Sequence, residues 1–293
     1  VYELAHVHSN TMPISLFGAP PKIEYNPTLG MHDTVQAFNS DSVTGSPGMQ
    51  GTRIDALGLF GYTERVWDGK GTFDPSAVRY YGGYRQADVK PTPAAPLEKL
   101  GVDKIPPIVT SAVLLDARTY IGHGRAMRAA EQIHSKDIQG MVKAQGLAWR
   151  GLLPGDAVYI YTGWEDNWRE PATDQRYFTG SPGLATDAVK YLGSRSIVLV
   201  ALDNPFTDPM QIDREARNEG VPAEIFFSAH HFNLTQNGIY QVQNAHLAEL
   251  AKDRVWLSCT MVLPSRDFGS AATPVRPVAI GTPASRQPQP ASR

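Results

Sequence analysis

Arg53 and Asp55, two residues apart, and the adjacent imidazoles His230 and His231 are the groups of this chain best suited to chemistry. A guanidinium presents five N–H donors in a planar fork and stays protonated, so Arg53 can bind a carboxylate or polarise a carbonyl oxygen. Asp55 can orient that guanidinium through a paired charge or take up a proton itself. Imidazole titrates near neutrality, which makes His231 the first choice as proton carrier, with His230 beside it as a substrate-facing group. Gln50 and Gln243 can donate hydrogen bonds to a bound oxygen, while Met49 and Leu59 supply apolar wall. A fixed cation, a carboxylate, an imidazole and two amides suit hydrolysis, hydration, elimination or ring closure on a small carbonyl compound.

A structural reading competes with this one. Arg53 and Asp55 can form an ion pair that fills a cavity, and either histidine can be a hydrogen-bonded core residue. His6 and His8 stand in a short alternating stretch that reads equally as pocket lining or surface strand. The Tyr80–Tyr84 segment and Trp67 can wall a pocket for a flat substrate or serve as packing anchors.

Composition removes several function classes. The 293 residues carry a formal net charge of −2 and no long basic cluster, so no nucleic acid or membrane partner is expected. No apolar span approaches the roughly 20 residues of a membrane helix. The chain opens on Val1 without a recognisable signal sequence, which slightly favours the cytoplasm and leaves the compartment open. The single cysteine, Cys259, falls in the apolar run Val255 to Leu263 and is expected in the core rather than as a nucleophile. Neither a phosphate-binding loop nor a Gly-x-Ser-x-Gly elbow occurs.

The elements that must position these groups alternate. Ala112 to Ala117, Ala157 to Thr162, Ser196 to Leu202 and Val255 to Leu263 read as buried strands, short and rich in β-branched or aromatic residues. A helix is expected from a cap near Ser135 through Gln145, with Ile138, Met141 and Val142 inward and Gly146 as its stop. Two more are expected over Asp208 to Asn218 and Asn244 to Asp253. This pattern implies an α/β architecture. The first hundred residues, dense in Gly and Pro, read as long ordered loops and short strands. Residues 1–282 are expected as one domain, and 283–293 as a Pro-rich extended tail.

Several segments together resemble the cyclase superfamily, which includes kynurenine formamidases and isatin hydrolases. Met49 through Leu59 is similar to its His-x-Gly-Thr-His-x-Asp-x-x-x-His signature. Val113–Asp116, the stretch from Pro154 to Trp164, Leu202–Asn204, His231–Asn244, Pro264 and Pro274–Ile280 resemble further segments in the same order. The resemblance implies a swivelling β/β/α domain with a central mixed sheet, assembling as homodimers or homotetramers. It also implies hydrolysis of small cyclic or acylated amides and lactones, with zinc or manganese in typical members.

The signature's metal-binding positions are altered here. Its imidazoles become Met49, Arg53 and Leu59, Asp55 is kept, and the carboxylate expected later in the chain is Gln243. Of the later ligands His231 remains. Since Arg53 cannot coordinate a cation, no metal or other cofactor is expected, and the reading is a metal-independent enzyme on a small cyclic or aromatic carbonyl compound. Two alternatives stand beside it: a non-catalytic small-molecule binder descended from a hydrolase, and a metal held by other ligands such as His6, His8 or His230 with Asp55.

Overall fold

The computed structural model describes residues 1–211 and 224–286. Among these residues a nine-stranded mixed sheet forms the centre. In chain order its strands are β1 (Tyr2–Glu3), β2 (Arg53–Asp55), β3 (Ile108–Asp116), β4 (Ala157–Tyr161), β5 (Leu199–Leu202), β6 (Tyr240–Gln243), β7 (Leu257–Val262), β8 (Ala272–Pro274) and β9 (Val278–Ile280). Across the sheet they run β1-β9-β7-β3-β4-β5-β6-β2-β8. The four central strands, β3 to β6, are mutually parallel, and every flanking pair is antiparallel. The α/β class with a mixed central sheet is therefore as expected.

The central strands are near-continuous apolar runs because both of their faces are covered. Alternate residues divide between two cores: Leu114, Tyr159, Ala201 and Val242 on one side, Val113, Leu115, Ile160 and Leu202 on the other. The second core is closed by α1 (Ser135–Ala144), which buries Ile138, Met141 and Val142, and by α2 (Thr186–Ser194). α1 begins one residue earlier than a Ser135 cap would set. His134 is the N-cap, and its N–H donates to Asp137 at 2.9 Å. Gly146, at φ +73°, ends the helical run as expected.

Three expectations change. Cys259 is exposed rather than buried. It pairs with Ser111 and Ile280 across β7, on the face opposite to that which buries Thr260 and Val262, so the two-residue period turns its thiol outward. The helix expected from Asn244 shortens to α3 (Ala248–Lys252), because Asn244 leaves β6 at φ +56° with its side-chain amide tied to the Gly51 carbonyl. For Asp208 to Asn218, Asp208 and Pro209 lead into a short strand, Met210–Gln211, against Gly180–Ser181, and 212–218 lie outside the described residues.

The Gly- and Pro-rich beginning of the chain does form loops and short strands. Lys22–Tyr25 pairs with Asp41–Thr44 and Leu29–Gly30 with Ala37–Phe38, giving an exposed hairpin with Val35 near its tip. At the other end, Ala284 N–H donates to the Asp253 carbonyl, so the start of the expected tail is docked. No helix among the described residues is long and apolar enough to cross a membrane.

Candidate active site

β2 and β6 bring the chemistry together. Residues two apart on a strand share a face, so Arg53 and Asp55 point the same way, and the antiparallel register sets Gln243 opposite Arg53. All three side chains are buried. Arg53 donates through Nη2 to Gln243 Oε1, and to the Pro205 carbonyl at 3.4 Å. Gln243 Nε2 donates to Asp55 Oδ2 at 2.6 Å. Arg53 Nε lies 3.7 Å from Asp55 Oδ1, an ion pair without a hydrogen bond.

The imidazole that joins this group is His230, not His231. A helix starts at Ser228 and continues as a π-turn from His231 to Asn237. Adjacent helical residues point about 100° apart, so only one of the pair can face the strands. His230 Nδ1 meets Asp208 Oδ2 at 2.5 Å, and its Nε2 lies 2.8 Å from Gln243 Nε2 and 3.6 Å from Asp55 Oδ2. His231 stacks edge-on against Tyr62, half-buried, beside a separate surface cleft lined by Glu224 and Phe226. His231, expected as the proton carrier, therefore does not line the cavity that holds Arg53 and Asp55, whereas His230 does.

Asp208 holds His230 twice over. Its Oδ1 accepts from the Ala229 N–H at 2.6 Å, capping the start of the helix, while Oδ2 binds the ring. Burial by itself lowers the His230 pKa. The hydrogen bonds and attraction of Asp208 and then Asp55 outweigh it and lift the imidazole to about 9. At Nε2 the neutral ring can accept from the Gln243 amide, and the protonated ring has Asp55 Oδ2 as its carboxylate partner at 3.6 Å. Burial pulls the Arg53 pKa below its ordinary value, with Asp55 and Tyr177 opposing the shift.

Arg53, Asp55 and His230 form the polar floor of a cavity of about 120 Å3, with Gln243 behind them and not among its lining residues. Met49 and Leu59 line it, as expected of apolar wall, together with Phe17, Phe60, Phe206 and Phe227. The rings pack edge-on, Phe17 to Phe206 at 5.7 Å and Phe60 to Phe227 at 6.1 Å, and Phe60 lies over His230 at 5.0 Å. Three buried polar atoms in this group make no hydrogen bond: Arg53 Nε, Arg53 Nη1 and Asp55 Oδ1. Gln50 does not line the cavity. Its buried amide clamps the backbone of Ser15, accepting from its N–H at 2.8 Å and donating to its carbonyl at 3.3 Å. That fixes the loop bearing Phe17. Tyr80 packs in a separate cluster with Val78, Val89 and Leu97, and Trp67 packs on Phe73.

Asp208 and the four phenylalanines are absent from the sequence-based set. The one usable signal was Phe227, three residues before His230 and so on the same side of a helical turn. The others come from loops whose paths the sequence does not fix.

Would this group accept the divalent ion of related hydrolases? Its anionic or imidazole donors are Asp55 and His230, and a transition metal needs three or four such donors near 2 Å. The guanidinium occupies the space beside Asp55 Oδ1. At about 4 Å and an effective dielectric of about 20, a dication would be repelled by roughly 8 kcal/mol. The residues do not fit a metal here.

Known proteins match this arrangement in fold. A solved structure described as "a novel cyclase" superposes with a TM-score of 0.76 at 21% identity, covering 95% of this chain and 86% of its own. Isatin hydrolase A from Ralstonia solanacearum gives 0.60 at 18%, covering 95% and 90%. A "predicted metal-dependent hydrolase" from Bacillus stearothermophilus gives 0.52 at 18%, covering 95% and 96%. No curated protein matches the chain by sequence. The family described as "Putative cyclase" matches residues 2–209, and the chain belongs to this cyclase family.

Proposed function

We propose that the chain is a hydrolase-type enzyme that opens small cyclic amides or lactones by acid–base catalysis at Arg53, Asp55 and His230, without a metal at that site. The observation that carries this reading is the set of atoms without a hydrogen bond, Arg53 Nε and Nη1 and Asp55 Oδ1, in residues that line the same aromatic cavity as His230. A buried unsatisfied polar atom costs about 1–3 kcal/mol, and a carbonyl oxygen and a water would satisfy these three. Apolar cavities of about 150 Å3 take up benzene, so a space of about 120 Å3 suits one small ring. The isatin hydrolases of the same fold favour ring opening as the reaction type.

The chemistry balances with these groups alone. Asp55 Oδ1 takes a proton from water as its oxygen bonds to the carbonyl carbon. Arg53 stabilises the negative charge that develops on the carbonyl oxygen. Protonated His230 gives its Nε2 proton to the leaving nitrogen or oxygen as the ring bond breaks. Asp55 then gives its proton to solvent water and His230 regains one, which restores the starting state.

The test is turnover of a panel of small lactones, cyclic amides and N-formyl amines, with and without chelator. Ring opening that persists under chelator and falls about 10²–10³-fold in Arg53→Lys is the expected result. Panel compounds that bind without turnover would make the protein a carrier and overturn the reading.

A further inference from the structure

A second cluster of coordinating groups lies outside the Arg53 cavity. We infer that His6, Glu165 and His246 form a binding site for a transition-metal dication of zinc type. One ligand atom from each residue lies within 4.8 Å of the other two. His246 Nδ1 is 2.8 Å from Glu165 Oε2, and His6 Nε2 is 3.9 Å from the same oxygen. In a tetrahedral zinc site with bonds of about 2.0–2.1 Å, ligand atoms stand about 3.3 Å apart, so the two pairs with Glu165 need shift by only about half an ångström, and the two imidazoles, within 4.8 Å of each other, close by at most about 1.5 Å. Two imidazoles and one carboxylate are a borderline-soft donor set, suited to zinc rather than magnesium or calcium.

The backbone builds this arrangement. Ala5 and Ala245 form an antiparallel bridge, and the His246 N–H donates to the Leu4 carbonyl at 2.9 Å, which sets the two histidines side by side. Glu165 follows β4 in a tight turn, and its carboxylate also faces the Leu247 N–H at 3.3 Å. Trp168 stacks on the His6 ring at 4.1 Å and 8°, fixing the plane of the imidazole. The decisive feature is His6 Nε2 itself. The side chain is only 10% exposed, and this nitrogen has no hydrogen-bond partner. A buried lone pair or N–H aimed at a carboxylate without a bond to it is expensive unless a ligand completes it.

Solvent reaches the cluster from two sides. His246 keeps 34% of its side chain exposed, and His6 borders a cleft of about 470 Å3 lined by Glu3, His8 and Arg276. Three protein ligands leave a fourth tetrahedral position to a solvent oxygen. A bound ion would join three separate stretches of chain: the segment after β1, the turn after β4 and the turn after β6. His6 also donates its backbone N–H to Thr52 Oγ1 at 3.0 Å, so the brace abuts the strand that carries Arg53.

The experiment uses the full chain stripped by chelator and dialysed, titrated with zinc chloride and separately with cobalt chloride. One zinc per chain by elemental analysis, a rise in Tm on adding zinc, and visible cobalt absorption of tetrahedral intensity are expected. His246→Gln and His6→Gln should lower zinc affinity at least tenfold and remove the Tm rise, while Arg53→Lys keeps both. His246→Gln alters a partly exposed ring and tests the site even where His6→Gln fails to fold. Absence of stoichiometric zinc, or equal binding by the wild type and His246→Gln, would overturn the site. Neither outcome bears on turnover at Arg53.

Discussion

The Gln243 amide bridges Arg53 and Asp55: its oxygen accepts from the guanidinium, and its nitrogen donates to Asp55 Oδ2 at 2.6 Å. A neutral side chain thus joins a buried cation to a buried anion, and the same nitrogen meets His230 at 2.8 Å.

Replacing this bridge by a carboxylate is therefore expected to destabilise the protein. Gln243→Glu removes the donor to Asp55 and sets like charge beside it, for a loss of roughly 2–5 kcal/mol. Urea unfolding at neutral pH measures it. Adding Arg53→His and Met49→His to Gln243→Glu, in a His246→Gln background, should create a zinc site that Gln243→Glu with His246→Gln lacks. Equilibrium dialysis separates the two.

His230 makes stability depend on pH. Its folded pKa, about 9, lies above the ordinary 6.5, so the stabilisation is fully present below about 6.5 and is lost as pH rises through about 9. Urea midpoints should fall across that window in the wild type and show a smaller fall in His230→Asn. The basic limb of the pH–rate profile should lie near the same value. In Asp208→Asn it should move toward lower pH, because the hydrogen bond that does most to raise the imidazole has lost its charge.

Arg53→Lys keeps a cation against Asp55 but loses the planar fork. Activity should fall about 10²–10³-fold, with stability changed far less than in Arg53→Ala, where a buried carboxylate left without its partner costs about 3–5 kcal/mol. Comparing initial rates and urea midpoints of the two variants checks both statements.

Gln50→Ala releases the loop that carries Phe17. The expected kinetic signature is a KM raised about tenfold, worth roughly 1.4 kcal/mol of wall contact, with kcat little changed. An equal fall in kcat would place Gln50 in the chemistry instead.

Sequence patterning made the centre of the sheet readable and left its rim obscure. β3, β4 and β5 were visible as apolar runs because buried parallel strands need no alternation, and β7 was visible as such a run although it pairs antiparallel on both sides. Arg53 and Asp55 were singled out by residue type and spacing, but that they share one face of a strand came only from β2. Helix phase is different: nothing local distinguishes His230 from His231, and only packing against β2 and β6 selects the first. Asp208 and Phe17 reach the site from turns, where tertiary contacts decide the path. Cys259 was misplaced because an apolar run does not reveal which of its faces lacks a covering layer.

The two outermost strands are short, and one ends in a residue without an amide hydrogen. β8 spans Ala272–Pro274 and β1 only Tyr2–Glu3, so neither border offers a long row of unpaired peptide groups. Another polypeptide therefore finds little purchase for extending this sheet sideways. Short borders of this kind disfavour growth of the nine-stranded sheet by further main-chain ladders.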